Sequence, residues 1–101
     1  DLNGVNSDRT LFILRGTVGS PGTTTITGIA GGTDGRLIVL KADALNFNMF
    51  IVNESANSLP ENRLQFNQNP NQTENVNGYG SFTFVYVDSE QRWVLINREI
   101  L

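Results

Sequence analysis

From Ile26 to Ala42 the chain reads ITGIAGGTDGRLIVLKA, a β-branched run, a glycine-rich interval, and a second run whose Leu37–Leu40 stretch has no polar break. Branched side chains lose little freedom on a pleated surface, so Thr24 to Ile29 suits an extended backbone. Gly31, Gly32 and Gly35 permit positive φ, and Asp34-Gly35 is a tight-turn dipeptide, so the segment predicts a hairpin with Arg36 to Lys41 as its second strand. In that second strand Leu37 and Val39 take one face while Ile38 and Leu40 take the other. Both faces need cover, which one sheet against water does not supply. A packed second layer is required.

Strand-like runs recur along the remaining sequence at all-β spacing: Thr10 to Arg15, Thr24 to Ile29, Arg36 to Lys41, Asn48 to Asn53, Arg63 to Phe66, Ser81 to Asp88 and Arg92 to Asn97. The fold class expected is all-β, a small antiparallel β-sandwich of about seven strands, for which a jelly roll is one arrangement. At 101 residues this is a single module that buries about two-thirds of its unfolded surface. Residues 1–9 read as a polar N-terminal tail or linker, and Ala42 to Phe47 as a single turn. The start at Asp1, without methionine, reads as a segment or a processed product. No stretch keeps the i, i+3, i+4, i+7 apolar spacing of a helix.

Two parts of the chain offer binding surfaces. Asn67 to Gly80, NQNPNQTENVNGYG, reads as a long asparagine-rich loop. Asparagine there solvates turns by bonding its own backbone, or presents amides to a ligand. Asn71, Asn75, Asn77 and Tyr79 are the candidate binding residues. In the closing hairpin, Phe82, Phe84 and Tyr86 alternate with Ser81, Thr83, Val85 and Val87. A four-residue loop at Asp88 to Gln91 sets Tyr86 opposite Trp93 and Phe84 opposite Leu95. Trp93 is then expected in the core with Tyr86, its indole N–H on a backbone carbonyl. The reverse face carries Val85, Val87, Val94 and Ile96, an apolar stripe assigned to a subunit interface.

Composition removes several chemistries. Histidine and cysteine are absent, so Ser-His-Asp and Cys-His arrangements, thiolate zinc sites and disulfides cannot form. Asp88 and Glu90 are the nearest carboxylate pair, placed in a hairpin loop where solvated acids are ordinary, so no catalytic residue is assigned. Asp34 is expected to shape its turn, Glu54 to be a strand-end charge, and Arg63 to bond loop carbonyls. Asp1, Asn3, Asn6 and Asp8 resemble an oxygen-rich calcium loop only superficially, lacking its spaced acids and terminal glutamate. The glycine cluster joins two strands with no Lys-Ser or Lys-Thr after it, unlike a phosphate loop. No metal or cofactor is expected. Seven basic residues scattered among ten acidic ones make no basic stripe, so nucleic acid is not a partner. No apolar run approaches the roughly 20 residues of a membrane-spanning helix.

Three pieces in order resemble a β-rich module of bacteriophage tail fibres and related virion appendages. Thr27 to Leu40 resembles its "tGi.GG.dGq.l.L" hairpin. Ile51 to Leu64, with Asn62-Arg63, resembles its "l.he...s.aaNR" stretch. Gly80 to Ile96, with Tyr86 and Trp93, resembles its closing "G.s.tlvYd...rWrvi" hairpin. The likeness spans residues 24–97. The Arg63 to Gly80 segment is longer and richer in asparagine, and Val52-Asn53-Glu54 stands where a histidine often precedes the glutamate. The resemblance implies a small β-sandwich in a homotrimeric virion appendage, non-catalytic, used for assembly with other virion proteins or attachment to a host-surface glycan or protein receptor. The alternative reading is a carbohydrate-binding module of a larger secreted enzyme, and a third is a polysaccharide depolymerase fragment.

Overall fold

The computed structural model describes residues 2–3, 11–14, 22–42 and 47–100. Ten strands follow one another: β1 (Leu2–Asn3), β2 (Leu11–Leu14), β3 (Thr23–Ile26), β4 (Ile29–Ala30), β5 (Leu37–Ala42), β6 (Asn48–Val52), β7 (Leu64–Gln65), β8 (Thr73–Asn77), β9 (Ser81–Val87) and β10 (Arg92–Glu99). One 3-10 turn, Pro60–Asn62, precedes β7. A five-stranded sheet in the order β2-β5-β9-β10-β7 packs on a three-stranded sheet, β3-β6-β8, while β1 pairs β4. The all-β sandwich is as expected. Its pairing is mixed, because β2–β5, β3–β6, β7–β10 and β1–β4 are parallel and only β5–β9, β9–β10 and β6–β8 are antiparallel. Of the expected polar tail, Leu2–Asn3 is a short strand beside Ile29–Ala30. Its other residues, with the Asp1, Asn6 and Asp8 of the calcium-like run, lie outside the described residues, as does most of the expected turn at 42–47.

Alternation fills the space between the sheets. Ile38 and Leu40 on β5, Phe82, Phe84 and Tyr86 on β9, and Trp93 on β10 face Ile26, Met49, Ile51 and Val76 of the smaller sheet, all of them buried. Full burial of each large side chain contributes about 1.5–3 kcal/mol, so this layer dominates stability. The closing hairpin has the expected register, Trp93 opposite Tyr86 and Leu95 opposite Phe84, across the Asp88–Gln91 loop. Gln91 closes that loop at φ 52°. Beyond Leu95 a bulge leaves Ile96 unpaired, since Asn97 is the next residue to find a partner, Thr83.

The predicted hairpin around the glycine cluster does not form. β3 joins the smaller sheet beside β6, and β5 joins the larger one between β2 and β9. The intervening chain crosses from one sheet to the other over the hairpin's aromatic end. Trp93 donates its indole N–H to Ile29 O at 2.8 Å, and its ring meets Tyr86 edge-on, with centroids 5.2 Å apart. Gly35 N donates to Tyr86 O, and Tyr86 N to Arg36 O, both at 2.9 Å. Arg36 Nη1 reaches back to Gly31 O at 3.1 Å. The turn at Asp34-Gly35 forms, with Gly35 at φ 82°. The expected strand pairing across it does not, because burying Ile29 and capping Trp93 outweigh a local pairing that would leave both exposed.

Gly32 and Gly35 therefore serve different ends. A Cβ on Gly32 would lie 2.2 Å from Tyr86 Cδ1 and Cε1, while at Gly35 nothing stands within 4 Å. Chemical denaturation should show Gly32→Ala losing about 1–3 kcal/mol through overpacking. Gly35→Ala should lose only the roughly 1–2 kcal/mol of a left-handed backbone, leaving the Tyr86 environment unchanged in near-ultraviolet circular dichroism.

Burial, then the nearby carboxylates of Asp88 and Glu61, push the Tyr86 hydroxyl above the usual tyrosine value of 10.0, partly offset by Arg92. The folded state keeps this proton when the unfolded chain has lost it. Stability should thus be undiminished below pH 10 and fall as pH rises beyond it. Tyr86→Phe, which also loses the 3.1 Å hydrogen bond to Glu61 O, should be less stable at neutral pH by about 1 kcal/mol and show a shallower alkaline decline in denaturation midpoints.

Candidate binding surfaces

Asn53, fully buried at the end of β6, organises the region that the sequence marked as a long loop. Its Nδ2 donates to Asn67 O at 3.0 Å and Asn69 O at 2.9 Å. Its Oδ1 accepts from Phe66 N at 2.8 Å and Asn67 N at 3.0 Å. Two donors and two lone pairs exhaust the capacity of a carboxamide. Its backbone adds Asn53 N to Gln72 O and Asn71 N to Asn53 O. The chain is thereby turned at Asn71, which takes φ 67°, and delivered into β8.

β8 was not foreseen. Thr73–Asn77 pairs antiparallel with β6, Asn75 opposite Phe50 and Asn77 opposite Asn48. Polar composition hides it, since asparagine is poor in strands as a rule and Val76 alone of its residues is buried. The four loop residues are consequently not brought together. Asn71 lies at the Asn53 end and Asn75 and Asn77 lie on the strand's outward face. Tyr79 follows at the far end, where Lys41 Nζ sits 5.8 Å from its ring centroid and bonds its carbonyl. The readable signal was the polar–apolar alternation around Val76.

Other singled-out residues have structural partners. Asp34 Oδ1 accepts Asp88 N at 2.9 Å, so it braces the next hairpin loop as well as its own turn. Arg63 Nε donates to Ser58 O at 3.1 Å, the carbonyl contact expected of it. Glu54, at φ 47°, accepts Arg92 Nε on both carboxylate oxygens at 2.8 and 2.9 Å. With side chains 20% and 22% exposed, that ion pair contributes up to about 1 kcal/mol. Among the described residues no group of three or more Asp and Glu could hold a metal, and no helix is long and apolar enough to cross a membrane.

Among the described residues, two broad faces and a groove stand out. The outer face of the larger sheet carries a row across three strands, Leu37, Val85 and Val94, ending at Gln65. Val85, Val87 and Val94 are half-buried, Leu37 is 45% exposed and Ile96 55% exposed. The groove, about 610 Å³, opens between residues 65–68 and Val94 and Leu95. Along it Phe66 N and Asn67 N bond Asn53 Oδ1, just beyond the Gln65–Val94 pair. The outer face of the smaller sheet is built of Thr and Asn around Phe50. Comparison with protein-family models, with curated proteins and with solved structures finds no match.

Replacing the Asn53 amide tests its role. Asn53→Asp keeps the acceptor but sets a carboxylate oxygen against the carbonyls of Asn67 and Asn69. At neutral pH it should cost more than Asn53→Ala, itself about 2–3 kcal/mol. This buried carboxyl would have a raised pKa, so the folded state binds the extra proton and stability should recover in part as pH falls through that value. Urea midpoints at pH 7 and pH 4 for both variants read this out.

Proposed function

We propose that the chain is a non-catalytic structural and adhesion module of a bacteriophage fibre or other virion appendage, in which copies trimerise through the outer face of the five-stranded sheet. The observation that carries this reading is the distribution of side chains on that face. Leu37, Val85 and Val94 form one apolar row flanked by Val39 and Val87, Thr83 and Asn97 share the row of Val39, and Lys41, Ser81, Glu99 and Arg92 stand at the margins. An apolar row with a polar and charged surround is the anatomy of a protein interface. One copy leaves that row half-open to water, where a second copy would exclude it. The threefold symmetry and the virion setting come from the sequence resemblance, and the lack of histidine and cysteine supports a role without nucleophilic catalysis.

The interface residues of this reading are Val85, Val87, Val94 and Ile96, joined by Leu37 from the neighbouring strand. The surfaces left outward then face the host or a neighbouring virion protein. A carbohydrate-binding module of a larger secreted enzyme is the second reading, favoured by the uncharged Thr and Asn face of the smaller sheet.

Light scattering decides between association and its absence. The proposal expects a mass three times the 11.1 kDa of the chain. Val85→Lys and Val94→Lys should each reduce it to one copy with unchanged far-ultraviolet circular dichroism, because a lysine at the centre of the face has no partner there. A wild-type protein that stays monomeric at high micromolar concentration rejects the proposal.

A further inference from the structure

The outward face of β3, β6 and β8 has a composition unlike the rest of the molecule. Register sets Thr23, Asn48 and Asn77 in one row, Thr25, Phe50 and Asn75 in the next, and Val52 beside Thr73. Their inward neighbours Ile26, Met49, Ile51 and Val76 are in the core, so these eight side chains share the opposite face. None of the eight is ionisable, in a chain with 17% charged residues. Beside it, Glu74 and Arg98 are engaged with each other at 3.5 Å, and Arg98 also holds Asn75 O through Nε and Nη2 at 3.0 and 2.7 Å. That contact ties the strand to β10 and leaves the Asn75 side chain unused. The amides of Asn48, Asn75 and Asn77 make no hydrogen bond among the described residues.

We propose that this face binds a neutral saccharide, with Phe50 as the platform and the flanking asparagines and threonines as its hydrogen-bonding partners. The chemistry of the occupant follows from charge and from donor–acceptor balance. An uncharged surface offers hydrogen bonds but no countercharge to a phosphate, a carboxylate or an ammonium group, so a neutral ligand, which loses no ionic solvation on docking, is its better match than nucleic acid or a charged peptide. Each amide presents both donors and acceptors, and each hydroxyl presents one donor with two lone pairs. Sugar hydroxyls, which donate and accept at every position, match that mixture. Phe50 lies in the middle row, flanked by Thr25 and Asn75, and its half-buried ring offers apolar area to the C–H face of a sugar. The Phe50 surface replaces Tyr79 as the aromatic element, since Tyr79 lies beyond the strand end with Lys41 beside it. This inference stands whether the chain serves a virion appendage or a secreted enzyme.

The test is an array of neutral and acidic glycans, followed by titration of ¹⁵N-labelled protein with the strongest neutral ligand. Binding to at least one neutral glycan is expected, with shift changes confined to residues 23–25, 48–52 and 73–77. Phe50→Ala should weaken it about tenfold, and Phe50→Tyr should retain it. Asn75→Ala combined with Asn77→Ala, both at solvent-facing positions that leave the core intact, should weaken binding to a similar extent of about tenfold. The Val85→Lys variant should still bind, which separates failure of this inference from failure of self-association. No binding on the array, binding confined to acidic glycans, or binding unaffected by both the Phe50 and the asparagine substitutions overturns the proposal.

Discussion

The indole of Trp93 fixes where everything else can go. A fully buried tryptophan must place its N–H on an acceptor, and the acceptor here is the carbonyl of Ile29, 64 residues earlier in the chain. That hydrogen bond draws the segment between β3 and β5 across the aromatic end of the closing hairpin, and so decides that β3 and β5 belong to different sheets. Gly32 then has to lie flat on Tyr86, and Gly35 and Arg36 exchange backbone hydrogen bonds with Tyr86. Ile29 is buried by the same move. In a small domain without cysteine, this polar contact set in an apolar layer joins the closing hairpin to the segment between β3 and β5.

Asn53 plays the corresponding part at the other end. Its amide satisfies four backbone groups of the 66–69 segment, which would otherwise be half-buried without partners. From there the chain leaves β7 after two residues, passes the groove beside Leu95 and re-enters the smaller sheet as β8. A buried amide is costly unless saturated, and this one is saturated. The specificity of the asparagine-rich stretch therefore lies in one residue that precedes it.

The sequence made some of this legible and concealed the rest for physical reasons. The β9–β10 hairpin was readable to the residue because alternation and loop length are both local, and the Tyr86–Trp93 pair follows from them. The sandwich followed from Leu37–Leu40 needing cover on both faces. The pairing of β3 with β6 was not readable, since Asp34-Gly35 is a genuine turn and nothing nearby says that its flanking strands part company. β8 is hidden by its polar outward face, because the amides of Asn75 and Asn77 read as loop. Alternation alone puts Ile96 on the face of Val94, whereas the bulge sets it outside the ladder.

The two outer faces of the sandwich differ chemically, an apolar row among polar and charged residues on the larger sheet and an uncharged Thr and Asn surface around Phe50 on the smaller, and both depend on the layer between them staying as Trp93 sets it. Hydrogen exchange at the single tryptophan indole reads that layer directly by nuclear magnetic resonance. The account predicts that the Trp93 indole N–H exchanges as slowly as the backbone amides of Phe84 and Tyr86, opening only when the domain unfolds. An indole proton exchanging at the rate of an exposed tryptophan while those amides stay protected would contradict it.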